Sequence, residues 1–339
     1  MNKDNFFKGT YHSGDLSNKT FLITGGAGFI GSNIVRYLSE NKAGKVIIYD
    51  NLCNGYMGNI EPFLSNNIFF VEGDICDLDK FLEVSKGVNY IIHQAALGSV
   101  SRSINTPLIT HDANVNGFLN VLEATRINEV ERMVYASSSS VYGDSKILPK
   151  VEAQIGRPIS PYALTKSINE QYAATYNLVY GTKTVGLRYF NVFGPNQSPN
   201  GPYAAVLPLF MDAMLNNKRP VIHGDGGQTR DFTFVENVVQ ANIRGCFTEN
   251  PSAFGEAYNV AVQERTTILD LFKIIKEYLQ LDMEPEFVEP RKGDIRDSLA
   301  DISKATNLLG YSPNYDFKTG LEFTIDWYKE NIFSMEKRD

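Results

Sequence analysis

The segment Tyr162-Ala-Leu-Thr-Lys166 sets a phenol and an ammonium one helical turn apart, because residues i and i+4 of a helix share a face. A phenol ionises near pH 10, so a tyrosine acting as a base at neutral pH needs a shift of roughly three units, about 4 kcal/mol. Nearby positive charge supplies such a shift. A lysine one turn away is one source and an oxidised nicotinamide is another. The pair gains meaning from Ser137-Ser138-Ser139-Ser140-Val141-Tyr142-Gly143, which follows an apolar strand and offers hydroxyls that can bind a substrate oxygen and relay its proton.

A dinucleotide site is written near the start of the chain. Thr20-Phe-Leu-Ile-Thr-Gly25-Gly26-Ala27-Gly28-Phe29-Ile30-Gly31 reads as a strand, a glycine turn and a helix start. Gly26, Gly28 and Gly31 satisfy GxGxxG, and from Gly25 the same stretch satisfies GxxGxxG. Side chains there would block the approach of a pyrophosphate to the helix N-terminus. The next strand ends at Asp50, about 20 residues after Gly31, where a carboxylate can hold an adenosine ribose. Its charge would repel a 2′-phosphate, which favours NAD over NADP. Asp74 and Ile75, after the third strand, are placed for the adenine, and the small Ala95 and Ala96, after the fourth, leave room for a flat cofactor. His93 ends an apolar strand and reads as a core histidine rather than a base.

The elements that must carry these residues alternate. Strands are expected at Thr20–Thr24, Lys45–Tyr49, Ile68–Glu72, Asn89–His93, Arg132–Ser137 and Thr184–Arg188. Helices are expected near Gly28–Asn41, Asp77–Ser85, Asp112–Ile127 and Pro161–Tyr180. Near-continuous apolar strands in a βαβ rhythm imply a parallel sheet covered on both faces, an α/β Rossmann-type doubly wound fold. After Asn191 prolines and glycines crowd Gly194–Pro208 and His223–Gly227, so the chain leaves the sheet for a smaller mixed α/β substrate lobe. It returns around Phe232–Val260 to add late strands. The expected division is residues 1–190 and about 232–263 for the NAD-binding domain, with 191–231 and about 264–339 for the second lobe. No internal repeat is evident.

Bulk properties narrow the function classes. A chain of 339 residues with 43% hydrophobic and 21% charged residues suits a large folded enzyme. A net charge of −7 argues against a broad nucleic-acid surface but not against a nucleotide ligand. Cys53, Cys76 and Cys246 have no metal spacing and suggest a reducing cytoplasmic compartment. His12, His111 and His223 form no metal spacing either. No apolar run approaches the roughly 20 residues of a membrane span, and Met1–Lys19 lacks the apolar core of a signal peptide.

Taken together, Gly25-x-x-Gly28-x-x-Gly31, Asp50-Asn51-Leu-Cys-Asn54-Gly55, the serine run with Val-Tyr-Gly, and Tyr162-x-x-x-Lys166 resemble the extended short-chain dehydrogenase/reductase superfamily. Within it the chain is similar to the UDP-hexose 4-epimerases. The likeness continues through Asn114-Val-Asn-Gly117, Arg188-Tyr-Phe-Asn191, Gln228-Thr-Arg230-Asp231-Phe232 and Arg291-Lys-Gly-Asp294. The segment Ser99-Val-Ser101-Arg-Ser-Ile-Asn-Thr-Pro107 resembles the bacterial branch acting on UDP-N-acetylglucosamine and UDP-N-acetylgalactosamine, which makes surface-polysaccharide precursors.

The resemblance implies roles. Tyr162 is the base, Lys166 holds a cofactor ribose and lowers the tyrosine pKa, and Ser138 relays the proton, with Ser139 able to share or take that part. It places Phe29, Ile30, Asn51, Asn54, Gly55, Gln94, Asn114, Ser137 and Tyr189 at the NAD. Asn191, Val206, Leu207, Arg230, Arg291 and Asp294 fall to the UDP-sugar, with Ser99, Ser101, Val221 and His223 beside it. For the arginines the physics agrees, since guanidinium pairs well with diphosphate oxygens. Sugar 4,6-dehydratases carry an Asp-Glu pair where this chain has Ser139 and Ser140, and UDP-glucuronate decarboxylases carry a Glu at Ser140, so neither chemistry is supported. Reversible oxidation through a 4-keto sugar, with NAD kept bound, is what remains. Members restricted to glucose and galactose place a tyrosine at Ser298, so the smaller serine should admit a 2-acetamido group. The resemblance also implies a homodimer paired through Asp112–Ile127 and Pro161–Tyr180. Alternatives from the sequence are a UDP-glucose/UDP-galactose or UDP-glucuronate 4-epimerase, a net-redox dehydrogenase, or an NAD-binding regulatory protein without catalysis.

Overall fold

A computed structural model describes residues 6–200, 204–290 and 296–335. Its first half alternates strand and helix: β1 (Thr20–Thr24), α1 (Phe29–Glu40), β2 (Lys45–Asp50), β3 (Ile68–Glu72), α2 (Leu78–Val84), β4 (Tyr90–His93), α3 (Val100–Asn105), α4 (Pro107–His111), α5 (Gly117–Ile127), β5 (Arg132–Ser138), α6 (Pro161–Tyr180) and β6 (Thr184–Tyr189). The second half adds α7 (Val206–Leu215), α8 (Val235–Phe247), β7 (Glu256–Val260), α9 (Ile268–Tyr278), α10 (Ser303–Leu309) and α11 (Phe317–Met335).

The seven strands form one parallel sheet in the order β3-β2-β1-β4-β5-β6-β7. Strands such as β1, β4 and β6 are buried almost end to end, because helices cover both faces. Strand order reverses between β1 and β4, and ligands of such sheets bind in the crevice beyond the strand ends at that point. Helix α6 has the ends that its sequence dictates. Ser160 accepts from the Ala163 amide at 3.1 Å, Pro161 opens the first turn, and Gly181 closes the helix at φ 69°.

Two expectations are corrected. Asp112–Ile127 is not one α-helix: residues 112–116 form a π-turn, preceded by the short helices α3 and α4. Pro107 lacks an amide hydrogen and separates those two. The return near Phe232–Val260 adds only β7 to the main sheet. Most of that stretch is α8, and Thr233–Phe234 pairs instead with Val192–Phe193.

The second lobe has its own apolar core, in which α7, α9 and α11 meet Phe193, Phe232, Phe234 and Tyr315. Residues 6–19, whose role the sequence leaves open, strap this lobe to the sheet domain. The Tyr11 ring stacks on Tyr37 of α1 with centroids 5.1 Å apart, and its hydroxyl donates to Glu236 of α8. Phe6 lies under the Arg36 guanidinium at 4.4 Å and packs edge-on against Phe234 and Phe323, while its carbonyl accepts from the Tyr315 hydroxyl at 2.9 Å. Phe6→Ala should therefore lower stability by about 3 kcal/mol, read from chemical denaturation.

Candidate active site

The glycine turn fits a pyrophosphate because little else fits it. Gly25 has φ 66°, and a Cβ there would lie 2.6 Å from the Ala95 nitrogen. A Cβ on Gly31 would press into the Gly25 carbonyl oxygen. At Gly28 a Cβ would meet only that carbonyl, at 3.1 Å. Helix α1 starts at Gly28 with no side-chain cap and no acidic residue in its first turn, so its amides are left for an anion.

A cleft of about 800 Å³ opens there. It is lined by Gly25, Gly28, Phe29, Ile30, Gly31, Asp50, Asn51, Asn54, Gly55, Asp74, Ile75, Gln94, Ala95, Ala96, Ser137, Tyr162, Lys166 and Tyr189, which is every expected cofactor residue except Asn114. Asp50 accepts from the Ala27 and Leu52 amides at 3.0 and 2.8 Å, yet burial outweighs them and raises its carboxyl pKa. At Asp74 burial acts the same way but loses to hydrogen bonds from the Cys76 amide and Asn51, so that carboxyl is lowered. Asn114 is buried and grips the backbone of Leu97, which lines the cleft, with Leu97 N to Oδ1 at 2.8 Å and Nδ2 to Leu97 O at 3.3 Å.

At the other end of the cleft the candidate catalytic groups converge. Tyr162 lies near enough to Ser138 for that serine to pull the phenol pKa down, and the Ser138 oxygen accepts from the Ser140 amide at 3.1 Å. The neighbouring hydroxyls are placed differently: Ser137 donates to Glu170 at 2.5 Å, and the Ser140 hydroxyl is buried without a partner. Lys166, 2% exposed, donates to the Ala136 carbonyl at 2.8 Å. Burial lowers its pKa to about 8, with Glu170 opposing. Burial and the Lys166 charge together push His93 down to about 3, and its Nδ1 lies 2.7 Å from the Thr24 hydroxyl. His93 is a neutral core residue, as its sequence position suggests.

The phenol departs from expectation. Burial raises the Tyr162 pKa above 10, and Ser138 only partly offsets this. The protein alone thus holds Tyr162 protonated, because desolvation penalises the phenolate more than its surroundings stabilise it.

The described candidate substrate residues sit on several elements of both parts of the fold. Ser99 caps α3, and Ser101 is exposed. Asn191 has φ 31°, and its carbonyl accepts from Thr233 at 3.2 Å. Leu207, 1% exposed, packs in the core of the second lobe, so only its backbone could meet a ligand. Val206 is half-buried at the start of α7. Val221 and His223 lie on a short strand paired with Glu286–Val288, and Arg230 donates to the Thr229 carbonyl at 2.9 Å. Ser298 is 9% exposed. Arg291 and Asp294 lie outside the described residues.

Two features escape the sequence reading. Gln197, Ser198, Asn200, Ala204 and Ala205, from the segment before α7, also line the cleft, and Arg102 lines it from α3. Behind the site, Glu170 takes Arg188 in a fork, Nε to Oε1 at 2.9 Å and Nη2 to Oε2 at 2.8 Å. Arg188 also donates to Tyr142 at 3.0 Å, at the end of the turn that carries Ser138. The available signal was Glu170 itself, a carboxylate one turn beyond Lys166 on α6.

The reversed strand order, the capless glycine turn and the cleft define a dinucleotide-binding α/β protein. The model of the NAD dependent epimerase/dehydratase family matches residues 21–261, and the chain belongs to that family, with NAD as its cofactor. A relative in Methanocaldococcus jannaschii described as a putative UDP-glucose 4-epimerase is 41% identical, over 91% of this chain and 98% of its own length. The solved UDP-N-acetylglucosamine 4-epimerase from Methanobrevibacter ruminantium, in complex with UDP-N-acetylmuramic acid, is 38% identical at a TM-score of 0.88, covering 92% of this chain and 99% of that one. The UDP-glucuronic acid 4-epimerase from Bacillus cereus, solved with UDP-glucuronic acid and NAD, is 30% identical at a TM-score of 0.85, covering 92% and 99%.

Glu170→Gln should cost about 3 kcal/mol or more, because it strands the buried Arg188 charge, and urea unfolding reads this directly. Gly31→Ala should abolish retention of NAD through purification, read from the nucleotide content of the purified protein.

Proposed function

We propose that the chain is an NAD-dependent 4-epimerase of UDP-sugars that interconverts UDP-N-acetylglucosamine and UDP-N-acetylgalactosamine. The carrying observation is that Tyr162 and Lys166 together line the end of a cleft shaped for the dinucleotide, with Ser138 near enough to the phenol to lower its pKa. Ser138 is placed to hold the C4 hydroxyl and pass its proton to the Tyr162 oxygen, and to reverse the transfer after the sugar turns over. NAD held by Gly25, Gly28, Asp50 and Lys166 would supply a reversible hydride acceptor at this end of the cleft. Lys166 keeps a positive charge in a site where water cannot. Ser139 and Ser140 carry no acid, so nothing beside Ser138 can expel water or assist decarboxylation.

Preference for the acetamido sugars is supported by Ser298, where a hydroxymethyl side chain leaves room that a phenol would fill. The Methanobrevibacter relative, by its own description, acts on UDP-N-acetylglucosamine. Specific recognition of the UDP falls to the second lobe, with Arg230, Arg291 and Asp294 as its polar contacts. The protein would act in the cytoplasm, in surface-polysaccharide precursor supply. Among the described residues no helix is long and apolar enough to cross a membrane. Leu108 and Ile109 on α4 and Leu164, Leu178 and Val179 on α6 are large, apolar and exposed, which supports a homodimer built on these helices.

Purified protein mixed with UDP-N-acetylglucosamine and no added NAD should form the 4-epimer, while UDP-glucuronate should turn over far more slowly. No interconversion of any UDP-sugar, or release of stoichiometric NADH, contradicts the reading. Ser298→Tyr should cut kcat/KM for the acetamido sugars roughly tenfold or more relative to UDP-glucose, since the phenol overfills the pocket. An unchanged ratio removes Ser298 as the selector.

A further inference from the structure

A dinucleotide brings two phosphate charges into the cleft, and side chains facing them must compensate that charge. Among the described residues lining the cleft, the carboxylates are Asp50, Asp74 and Asp112, and the cations are Lys166 and Arg102. Lys166 is committed to the reacting end, buried against the Ala136 carbonyl. Arg102 stands at the opposite end. Its Nη2 donates to the Asn54 Oδ1 at 3.1 Å. Its charge reaches the Cys53 thiol, where it opposes the rise caused by burial and by Asp50.

The topology says what lies beneath that bond. Arg102 belongs to α3, beyond β4, and Asn54 to the loop beyond β2. In the sheet β1 sits between β2 and β4, so the glycine turn that follows β1 lies between the two partners. The bond from Arg102 to Asn54 thus joins the two walls of the cleft on either side of the glycine turn. Its α3 end is firmly built. Ser99 accepts from the Arg102 amide at 3.1 Å, and the Arg102 carbonyl accepts from the Thr106 amide at 2.7 Å and hydroxyl at 3.1 Å. Asn114 anchors Leu97 just upstream and ties it to Thr165 of α6 at 3.2 Å.

We propose that Arg102 is a cofactor-binding residue that pairs with the dinucleotide phosphates and, through Asn54, latches the cleft so that the reduced cofactor is held until the sugar is reduced again. The binding half rests on the NAD cleft alone, and only the need for retention rests on the epimerase reading. An oxidised sugar whose cofactor escaped would be stranded as a ketone, so such a latch serves a reaction that borrows and returns one hydride.

The test uses the full chain stripped of nucleotide, with no sugar present, as wild type, Arg102→Gln, Arg102→Lys and Asn54→Ala. Titrations with NAD, ADP-ribose and adenosine read the phosphate contact. Arg102→Gln should weaken NAD and ADP-ribose roughly tenfold or more and leave adenosine within about twofold, with Arg102→Lys in between. Added salt should narrow the gap between wild type and Arg102→Gln. Unchanged NAD affinity overturns the assignment, and so does an equal loss for adenosine, which would mean a damaged loop. Stopped-flow release of NADH reads the latch: Asn54→Ala should release it several-fold faster, and an unchanged rate overturns that half. Failure of the sugar assignment leaves all of these titrations as they are.

Discussion

The structure depends on keeping one ammonium charged in a place nearly free of water. Lys166 is 2% exposed, and burial lowers its pKa to about 8 even with Glu170 opposing. Desolvation works against every charge in such a setting, so the surroundings must favour this one. The Ala136 carbonyl accepts one of its protons, and Glu170, one turn further along α6, pulls its pKa back up. The same charge bears on its neighbours. His93, on β4, is held neutral by burial and by that charge, and its Nδ1 lies 2.7 Å from the Thr24 hydroxyl. The positive charge thus sits at the end of the cleft that Tyr162 also lines.

A second constraint follows from the first. Tyr162 and Lys166 ride on α6, while Ser138 rides on the end of β5, and the chemistry needs both in register. The Arg188–Glu170 fork ties them. Glu170, on α6, accepts from Ser137 of β5, and Arg188, on β6, donates to the Tyr142 hydroxyl and the Glu152 carbonyl. A buried, forked ion pair is a poor source of net stability but a stiff one, since every donor has its acceptor placed. Tyr142 continues the chain of contacts to Asn259 on β7 at 2.6 Å, which links the relay turn to the last strand of the sheet.

What was legible in the sequence was whatever backbone geometry or long periodicity imposes. Gly25 and Gly31 announce themselves because no other residue fits, and α6 because Ser160-Pro161 and Gly181 mark its ends. Ser99–Pro107 shows in the sequence only as a family-like segment, because α3 and α4 are too short to show a period and Pro107 interrupts them. The Asn114 bonds to the Leu97 backbone and the place of the Leu207 side chain in the second core are set by long-range packing, which a one-dimensional motif does not show. Glu170 and Arg188 sit on different elements, so no local pattern could join them. The strap of residues 6–19 was opaque for a similar reason: Phe6 and Tyr11 find partners more than two hundred residues away, in Phe234, Glu236 and Tyr315.

The protein by itself makes Tyr162 a weaker acid than a free phenol, so the account places the missing acidification in the positive charge of the oxidised cofactor added to that of Lys166. Its most direct test is the ultraviolet titration of tyrosinate in nucleotide-free and NAD-loaded protein, with Tyr162→Phe subtracted from each. Without NAD the Tyr162 contribution should ionise above pH 10, and with NAD it should move down by about three units toward neutrality. Ionisation at the same pH in both forms would contradict the account.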